Sequence, residues 1–200
     1  MEILRKAAYR RMPWKNGGGE TFEIAISPPG ASFDTFDWRV SMAVVERDGP
    51  FSIFPGIDRT LCVLEGAGVA LDFGASEGDA RVLTPASDPF HFAADRALEA
   101  RLLAGTITDL NVMTRSARCR HSVQRLTIDA PPMQVTVVAP SIVFCERGEL
   151  VCTVDGGTEL SLGARDCLVR RDAAPALLEL KAPFPASVYL IQFYATAMEA

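Results

Sequence analysis

The sequence predicts an all-β protein built from two jelly-roll halves. Short segments rich in β-branched and aromatic residues recur along its 200 residues, and clusters of Gly, Pro and Asp such as FPGID and EGAG separate them. Strands spaced in this way are typical of a β-sandwich or barrel. A repeated pattern indicates two halves, because residues 60–114 and 141–193 each supply a strand, a Gly-containing turn, a second strand and paired strands ending on an apolar run.

The strand assignments rest on β-branched and aromatic content, and one stretch stays ambiguous. Residues 93–105 place apolar side chains at helical spacing, but Leu98, Ala100 and Leu102 also alternate with their neighbours as in a strand. The other segments are predicted as strands: Phe36–Val45, Thr60–Leu64, Gly68–Phe73, Met133–Val138 and Val188–Tyr194.

The predicted seam between the halves is the polar stretch Arg115–Gln124. Residues 1–114 would form the larger N-terminal half, with the first strands added to its sheets and a candidate pocket inside it. Residues 115–200 would form a C-terminal half with a mainly structural role. Two such halves would bury each other's sheet faces and protect strand edges that are exposed in isolation.

Composition and charge exclude several classes of protein. Hydrophobic residues make up 48% of the chain, so it can bury a core, and 20 Lys and Arg stand against 25 Asp and Glu without a basic run. Nucleic acid is therefore not an expected partner. The N-terminal MEILRKAAYRRMPW lacks the apolar run of a signal peptide, and no stretch has membrane-spanning length, so we expect a cytoplasmic protein without a membrane partner.

Neither metal binding nor nucleophilic catalysis has a motif in the chain. Its two histidines, His91 and His121, are thirty residues apart, whereas a first-row metal site normally shows clustered ligands. The five cysteines include no CxxC pair and are expected to be reduced core residues. There is no GxSxG elbow, GxGxxG fingerprint or P-loop. We therefore expect no metal, no cofactor and no catalytic residue of these types.

The segment WKNGGGE has the most unusual composition in the chain. Three successive glycines lose backbone entropy on folding, which is best explained where the backbone bends sharply or approaches another group. Trp14, Lys15, Asn16 and Gly17 together offer stacking, charge and two-way hydrogen bonding to a small polar molecule. The alternative is a Gly-rich turn with Trp14 packed on the end of the barrel.

Further polar residues lie in apolar strand contexts. Arg39 and Ser41 alternate with apolar residues in DWRVSMA, and Asn111 lies within DLNVMTR. Asp58 and Arg59 follow the FPG turn. Polar groups on an inward face need partners or a pocket. The alternatives are that this face points to solvent, as in many antiparallel sheets, and that Asp58 stabilises a turn.

The blocks MPWKNGGGET, FDWRVSMAVVERDGPFSIFPGIDRTLCVLEGAG and DLNVMTR resemble, in order, the signature blocks of the HutD/Ves family. The resemblance implies a double-stranded β-helix (jelly-roll) bicupin and an association with histidine utilisation in bacteria, without an established catalytic activity. It also implies a role in tuning that pathway by binding one of its intermediates. The matching positions are pocket candidates: Trp14, Lys15, Asn16, Gly17, Arg39, Ser41, Asp58, Arg59 and Asn111.

We weigh three functions. The first is a non-catalytic module that binds a small carboxylate metabolite, because Lys15, Arg39 and Arg59 are cations suited to carboxylates. In the family's context the candidate ligands are formylated or formimino-glutamate and urocanate. The second is a metal-free isomerase or hydrolase using Glu23, Asp58 or Lys15 as acid or base, and the third is a metal-dependent cupin dioxygenase. Exposed edge strands also make the sequence compatible with a homodimer.

Overall fold

The computed structural model describes residues 1–74, 80–138, 140–172 and 174–196, and these ranges are almost entirely β-structure. Within them the helical element is a 3-10 turn at Lys6–Ala8, and no helix there has the length and apolar character needed to cross a membrane. The strands in chain order are β1 (Glu2–Leu4), β2 (Arg10–Pro13), β3 (Gly19–Ser27), β4 (Trp38–Val45), β5 (Gly49–Pro50), β6 (Ile57–Glu65), β7 (Val69–Asp72), β8 (Arg81–Leu83), β9 (Phe90–Ala93), β10 (Glu99–Leu102), β11 (Ile107–Arg115), β12 (Cys119–Ile128), β13 (Met133–Val137), β14 (Ser141–Arg147), β15 (Leu150–Val154), β16 (Leu160–Leu162), β17 (Cys167–Arg170), β18 (Ala176–Lys181) and β19 (Ala186–Ala195).

The chain folds as two compact units. The first unit contains Arg10–Arg120 with residues 195 and 196, and the second contains Met1–Tyr9 and His121–Tyr194. The first unit has a six-stranded sheet in the order β2-β3-β4-β11-β6-β9 and a four-stranded sheet in the order β5-β10-β7-β8. The second unit has a sheet in the order β1-β17-β14-β19-β12 and a sheet in the order β13-β18-β15-β16.

In each unit one apolar core joins the two sheets. In the first unit Val45 and Ile107 from the six-stranded sheet pack with Leu71 and Ala100 from the four-stranded sheet. The second unit repeats the arrangement with residues of both its sheets: Val143, Cys152, Leu178 and Leu190. Two sheets closed over a shared core form a jelly roll. The predicted all-β jelly-roll fold is therefore confirmed.

The ambiguous stretch Ala93–Gly105 forms a strand, β10, rather than a helix. Ala100 is buried between exposed Glu99 and Arg101, as strand alternation requires. Both edges of β10 are paired, with β5 on one side and β7 on the other. These two ladders satisfy the backbone groups of a segment whose local composition does not favour either structure.

The predicted polar seam, Arg115–Gln124, is strand for most of its length. β11 ends at Arg115, β12 begins at Cys119, and the two units divide at residue 120 within β12. His121 is a half-buried strand residue there. Exposed and half-buried side chains alternate along β12. Because one face of the strand is polar, its composition resembles that of a linker, and composition alone could not distinguish the two.

The first nine residues belong to the second unit, whereas the predicted boundaries placed them in the first half. β1 pairs antiparallel with β17, with Glu2 opposite Val169. The Tyr9 hydroxyl donates to the carbonyl oxygen of Arg165 at 2.7 Å. Burial alone would raise the pKa of Asp166, but hydrogen bonds from the Arg5 side chain and from backbone N–H groups lower it. Contacts over more than 150 residues of sequence thus anchor this segment.

The glycine segment forms the tight turn between β2 and β3. The Trp14 N–H donates to the Gly19 carbonyl at 3.0 Å, and the Gly18 N–H donates to Asn16 Oδ1 at 3.0 Å. A Cβ atom on Gly19 would overlap the carbonyl oxygen of Val44 and would lie 3.3 Å from Cε3 of Trp14. Gly19 is therefore required because the backbone of β4 and the Trp14 ring both approach it closely.

We predict that Gly19→Ala lowers the free energy of unfolding by about 3 kcal/mol or more, because the added Cβ would overlap the backbone carbonyl of Val44, which cannot move aside cheaply. The matched control is Gly17→Ala, since a Cβ there meets nothing within 4 Å and only its φ of 65° is unfavourable. That control is expected to cost about 1–2 kcal/mol. Urea unfolding followed by circular dichroism measures both, and equal losses would contradict the steric explanation.

Candidate functional site

A polar layer crosses the inner face of the six-stranded sheet. Its members are the buried polar residues Arg39, Ser41, Arg59, Asp109 and Asn111. β11 runs between β4 and β6, and Met113 is in register with Arg39 on one side and with Arg59 on the other. Two residues along β11, Asn111 is in register with Ser41 of β4. Alternate residues of a strand point to the same face, so these five side chains share one face. All five are buried.

Apolar side chains bound the polar layer along both directions of the strands. On one side Ala43 and Leu61 belong to the core shared with the four-stranded sheet. On the other side Ile57 and Met113 belong to a separate cluster that includes Phe36. The polar groups of the layer are therefore held in a low-dielectric environment, where each unmade hydrogen bond is costly.

Arg39 is 2% exposed and is held from two directions. Its Nε donates to Glu23 Oε2 at 2.8 Å, and its Nη1 donates to Ser41 Oγ at 3.1 Å. Glu23 is also paired with Arg10 at 2.9 Å. The ring centroid of Phe33 lies 4.6 Å from the guanidinium carbon, a cation–π distance. The Arg39 guanidinium thus extends along β4 to the level of Ser41.

Arg59 begins a chain of hydrogen bonds that runs from β6 to β11. Its Nε donates to Asn111 Oδ1 at 2.7 Å, and its Nη2 donates to the same oxygen. The Asn111 amide in turn donates to Asp109 Oδ1. The Phe51 ring centroid lies 4.4 Å from the guanidinium carbon. The Asn111 side chain therefore stands between the cation and the carboxyl group.

Burial shifts the pKa of both ionisable ends of this chain. Burial lowers the pKa of Arg59 to about 10, an effect that Asp109 opposes and Arg39 reinforces. The guanidinium remains protonated at neutral pH. Burial raises the pKa of Asp109 to about 6, although Arg59, the Asn111 amide and the backbone of Ala43 all favour its charged form. Asp109 therefore changes charge just below neutral pH.

Two buried polar atoms of the layer have no hydrogen-bond partner among the described residues. They are Nη2 of Arg39, a donor, and Oδ2 of Asp109, an acceptor. Most buried polar atoms in native proteins are paired, so each exception needs an explanation. The residues that carry these atoms, Arg39 and Asp109, both line the cavity described next.

The polar layer forms part of the wall of a cavity of about 760 Å³ inside the first unit. Its wall combines cations, carboxyl groups and aromatic rings with small polar residues. The main lining residues are Trp14, Lys15, Asn16, Thr21, Phe33, Arg39, Ser41, Arg47, Asp48, Phe51, Phe54, Arg59, Asp109, Asn111 and Met113. This volume and this mixture are typical of a small-molecule site.

Seven of the nine predicted pocket residues line this cavity, and Gly17 and Asp58 do not. Asp58 directly precedes Arg59 in β6, so strand alternation turns its side chain to the opposite face. Gly17 lies in the exposed part of the glycine turn. These two positions lie outside the lining of this cavity, and their role as pocket residues stays a prediction.

The Trp14–Asn16 segment combines the two interpretations that the sequence left open. Trp14 packs on Gly19, and its Nε1 donates to Thr21 Oγ1 at 2.8 Å, so it is a structural part of the turn. Asn16 stabilises the turn through its side-chain oxygen. Both nevertheless line the cavity together with the exposed Lys15.

Sequence reasoning missed Asp109 and the aromatic rings over the arginines. Asp109 lies two residues before Asn111 on β11, and strand periodicity alone places both on one face. Phe33 and Phe51 lie outside the strands, so no periodic signal could have assigned them to the cavity. Their aromatic character was visible, but the path of their loops was not.

Among the described residues, no group of three or more His, Cys, Asp and Glu is arranged to hold a metal ion. His91 is exposed on β9, and its Nδ1 lies 3.2 Å from Oγ1 of Thr60. His121 belongs to the second unit. The five cysteines all lie within the described residues, are buried, and form no disulfide bond with one another.

We predict that Asp109→Asn stabilises the ligand-free protein at pH 7 by about 1–3 kcal/mol. The folded protein binds the Asp109 proton more tightly than the unfolded chain does, because its pKa of about 6 lies above the ordinary value of 3.8. The wild-type free energy of unfolding should therefore contain a contribution that falls as pH rises from about 4 to 6. Asp109→Asn removes that contribution.

Urea unfolding at a series of pH values measures this difference. Asp48→Asn is the matched control, because Asp48 also lines the cavity but is exposed. Asp48 Oδ1 accepts the Leu102 N–H at 2.7 Å, and the side-chain oxygen of Asn can accept the same hydrogen bond. The control should follow the wild type, and an Asp109→Asn protein that is less stable than the wild type at pH 7 would contradict the prediction.

Comparison with known proteins identifies relatives over nearly the whole chain. The family model described as HutD matches residues 6–186. The chain is 34% identical over 168 residues to a Pseudomonas putida protein named "Uncharacterized 21.2 kDa protein in hutC 3'region", covering 84% of this chain and 85% of that protein. It is 40% identical over 119 residues to protein Ves of Citrobacter koseri, covering 58% of this chain and 60% of that protein.

Solved structures agree with these sequence matches. The structure of HutD from Pseudomonas fluorescens SBW25 matches with a TM-score of 0.82 and 31% identity, covering 98% of this chain and 99% of that one. A cupin 2 conserved barrel domain protein from Leptotrichia buccalis matches with a TM-score of 0.58 at 10% identity, covering 96% of this chain and 100% of that one, a likeness of fold alone. The chain belongs to the HutD family and has the jelly-roll fold of cupins.

Proposed function

We propose that the cavity of the first unit binds a small carboxylate metabolite, and that the protein is a non-catalytic sensor or regulator of histidine catabolism. The observation that carries the proposal is Nη2 of Arg39, a buried cationic donor that has no hydrogen-bond partner among the described residues and belongs to a residue lining the cavity. A carboxylate oxygen is the acceptor that a guanidinium binds most strongly. The candidate ligands are formylated or formimino-glutamate and urocanate.

The charge of the cavity supports an anionic ligand. The whole chain carries a formal charge of −5. Its cavity, by contrast, is lined by four cationic side chains and two carboxyl groups: Lys15, Arg39, Arg47, Arg59, Asp48 and Asp109. A cleft with a local excess of one sign concentrates ligands of the opposite sign, even when the protein as a whole would repel them.

The chemistry of the layer favours holding a ligand over transforming it. Guanidinium groups recognise planar anions through fixed donors and keep their protons at neutral pH. The rings of Phe33 and Phe51 cover the two guanidinium groups and limit their movement. Such a preorganised layer binds with a small loss of side-chain entropy. The relative from Pseudomonas putida carries a name that refers to hutC, which supports the metabolic context.

We predict that at least one of urocanate, N-formyl-L-glutamate and N-formimino-L-glutamate stabilises the protein. At a concentration 100-fold above Kd, a ligand that binds only the native state contributes about 2.7 kcal/mol, or roughly 5–10 °C in Tm for a chain of this size. Differential scanning fluorimetry against increasing ligand concentration measures the shift and the affinity.

Two variants test whether the arginines carry this binding. Arg39→Lys and Arg59→Lys keep the charge but lose the planar fork, so each should weaken binding by about 10–100-fold. Arg101→Lys is the control, because Arg101 is exposed and pairs with Asp72 at 3.2 Å, outside the cavity wall. Folded variants that bind as tightly as the wild type, or a wild type that none of the three metabolites stabilises, would overturn the proposal.

One observation favours a second candidate, a metal-free enzyme acting on such a metabolite. Asp109 has a pKa of about 6 and an unpartnered oxygen at the cavity, which suits a general acid or base near neutral pH. The groups considered from the sequence fit less well, because Asp58 faces away and Glu23 is held by Arg10 and Arg39.

The two candidates differ in turnover. NMR spectra of each metabolite, recorded over hours with micromolar protein, should stay unchanged if the protein only binds. Conversion that is lost in Asp109→Asn but kept in Asp48→Asn would establish the enzyme instead.

A further inference from the structure

A cavity that recognises only carboxylates has no evident need for the buried carboxyl group of Asp109. Its charge would repel an anionic ligand, and its own ionisation is disfavoured by burial. A neutral Asn at this position could still accept the hydrogen bond from the Asn111 amide without either cost. The presence of a carboxyl group rather than an amide is therefore best explained by a further hydrogen-bond donor that binds it.

Arg59 does not fill that role directly. Both of its short hydrogen bonds go to Asn111 Oδ1, so the amide separates the guanidinium from the carboxyl group. One oxygen of Asp109 is occupied by the Asn111 amide, and the other oxygen has no hydrogen-bond partner among the described residues. A buried charged acceptor in this state gains most from a donor that enters the cavity.

The two unpartnered atoms lie at neighbouring levels of the same sheet face. The Arg39 guanidinium reaches the level of Ser41, which is in register with Asn111. Asp109 lies two residues further along β11, opposite Ala43. Two residues of a strand span about 6.6 Å, so a donor and an acceptor are offered roughly one small molecule apart.

We propose that the ligand of this cavity is bifunctional, with a carboxylate bound by Arg39 Nη2 and an N–H donor bound by Asp109 Oδ2. This inference rests on the proposed carboxylate-binding function and specifies its ligand class. That class comprises small carboxylates that also carry an amide, amidine, ammonium or imidazole N–H a few bonds away. Plain carboxylates of the same size would leave Asp109 without its partner.

Matched probe pairs test the inference with the full-length protein. The first pair is urocanate and 3-(2-furyl)acrylate, which share an acrylate but differ in the ring N–H. The second pair is N-formyl-L-glutamate and (S)-2-(formyloxy)glutarate, which share the dicarboxylate chain and the formyl group but differ in carrying an amide N–H or an ester oxygen. Isothermal titration calorimetry should give a Kd about 10–100-fold lower for the N–H member of at least one pair.

The variant Asp109→Asn tests whether Asp109 binds the N–H group of the ligand or only supports the fold of the cavity. We expect the variant to bind the N–H member more weakly than the wild type, but to bind its N–H-free partner equally or more tightly because a repelling charge is gone. The preference within the pair should fall to about twofold or less. A merely structural role would change both members in the same direction. Asp72→Asn is the control, because Asp72 pairs with Arg101 at 3.2 Å and is not among the residues that line the cavity, so this variant should keep the wild-type preference.

Each outcome decides between the inference and the function beneath it. If the wild type binds both members of each pair within twofold, or prefers the N–H-free members, the inference fails while the carboxylate-binding function stands. If Asp109→Asn, shown to be folded by circular dichroism, weakens both members equally, the inference also fails. If the wild type binds none of the four probes and N-formimino-L-glutamate does not stabilise it either, both the inference and the proposed function are overturned.

Discussion

Two buried guanidinium groups on the inner face of one sheet are the constraint on which the first unit depends. Taking a charged group out of water costs several kcal/mol unless partners replace the lost hydration. Glu23 supplies that partner to Arg39, and the Asn111 oxygen supplies it to Arg59. These partners are in place only while β3, β4, β11 and β6 keep their register, since a slip of one residue would turn every side chain to the other face. Register and charged layer therefore stabilise each other.

The surrounding structure keeps this layer dry while leaving one side of it open. Apolar clusters bound it along the strands, and aromatic rings from the loops cover the guanidinium groups. The missing side chain of Gly19 lets the Trp14 ring and the backbone of β4 both approach this residue closely. Within the part of the chain that the structure describes, one donor and one acceptor on residues lining the cavity nevertheless remain without a hydrogen-bond partner. Proteins depart from full satisfaction of buried polar groups mainly at functional sites, which is why the incompleteness of the layer indicates its use.

The fold and most of the site followed from local sequence patterns, and the exceptions have physical causes. Arg39, Ser41 and Asn111 could be predicted because polar residues at strand spacing inside apolar segments must face something polar. Asp58, a candidate from the family resemblance, does not line the cavity because it directly precedes Arg59 and adjacent strand residues face opposite ways. The pairing of β1 with β17 joins residues more than 150 positions apart, and local patterns contain no information on such contacts. The loop aromatics Phe33 and Phe51 were missed because they lie outside the strands, where no periodic pattern assigns a side chain to a face.

The most direct test of the central claim is a crystal structure of the protein grown with whichever histidine-pathway metabolite stabilises it most. The account predicts a carboxylate oxygen within hydrogen-bonding distance of Nη2 of Arg39, about 2.7–3.2 Å, inside the cavity lined by Arg59 and Phe33. A ligand bound elsewhere on the chain, with Nη2 of Arg39 satisfied by a protein group or an ordered water, would contradict the account.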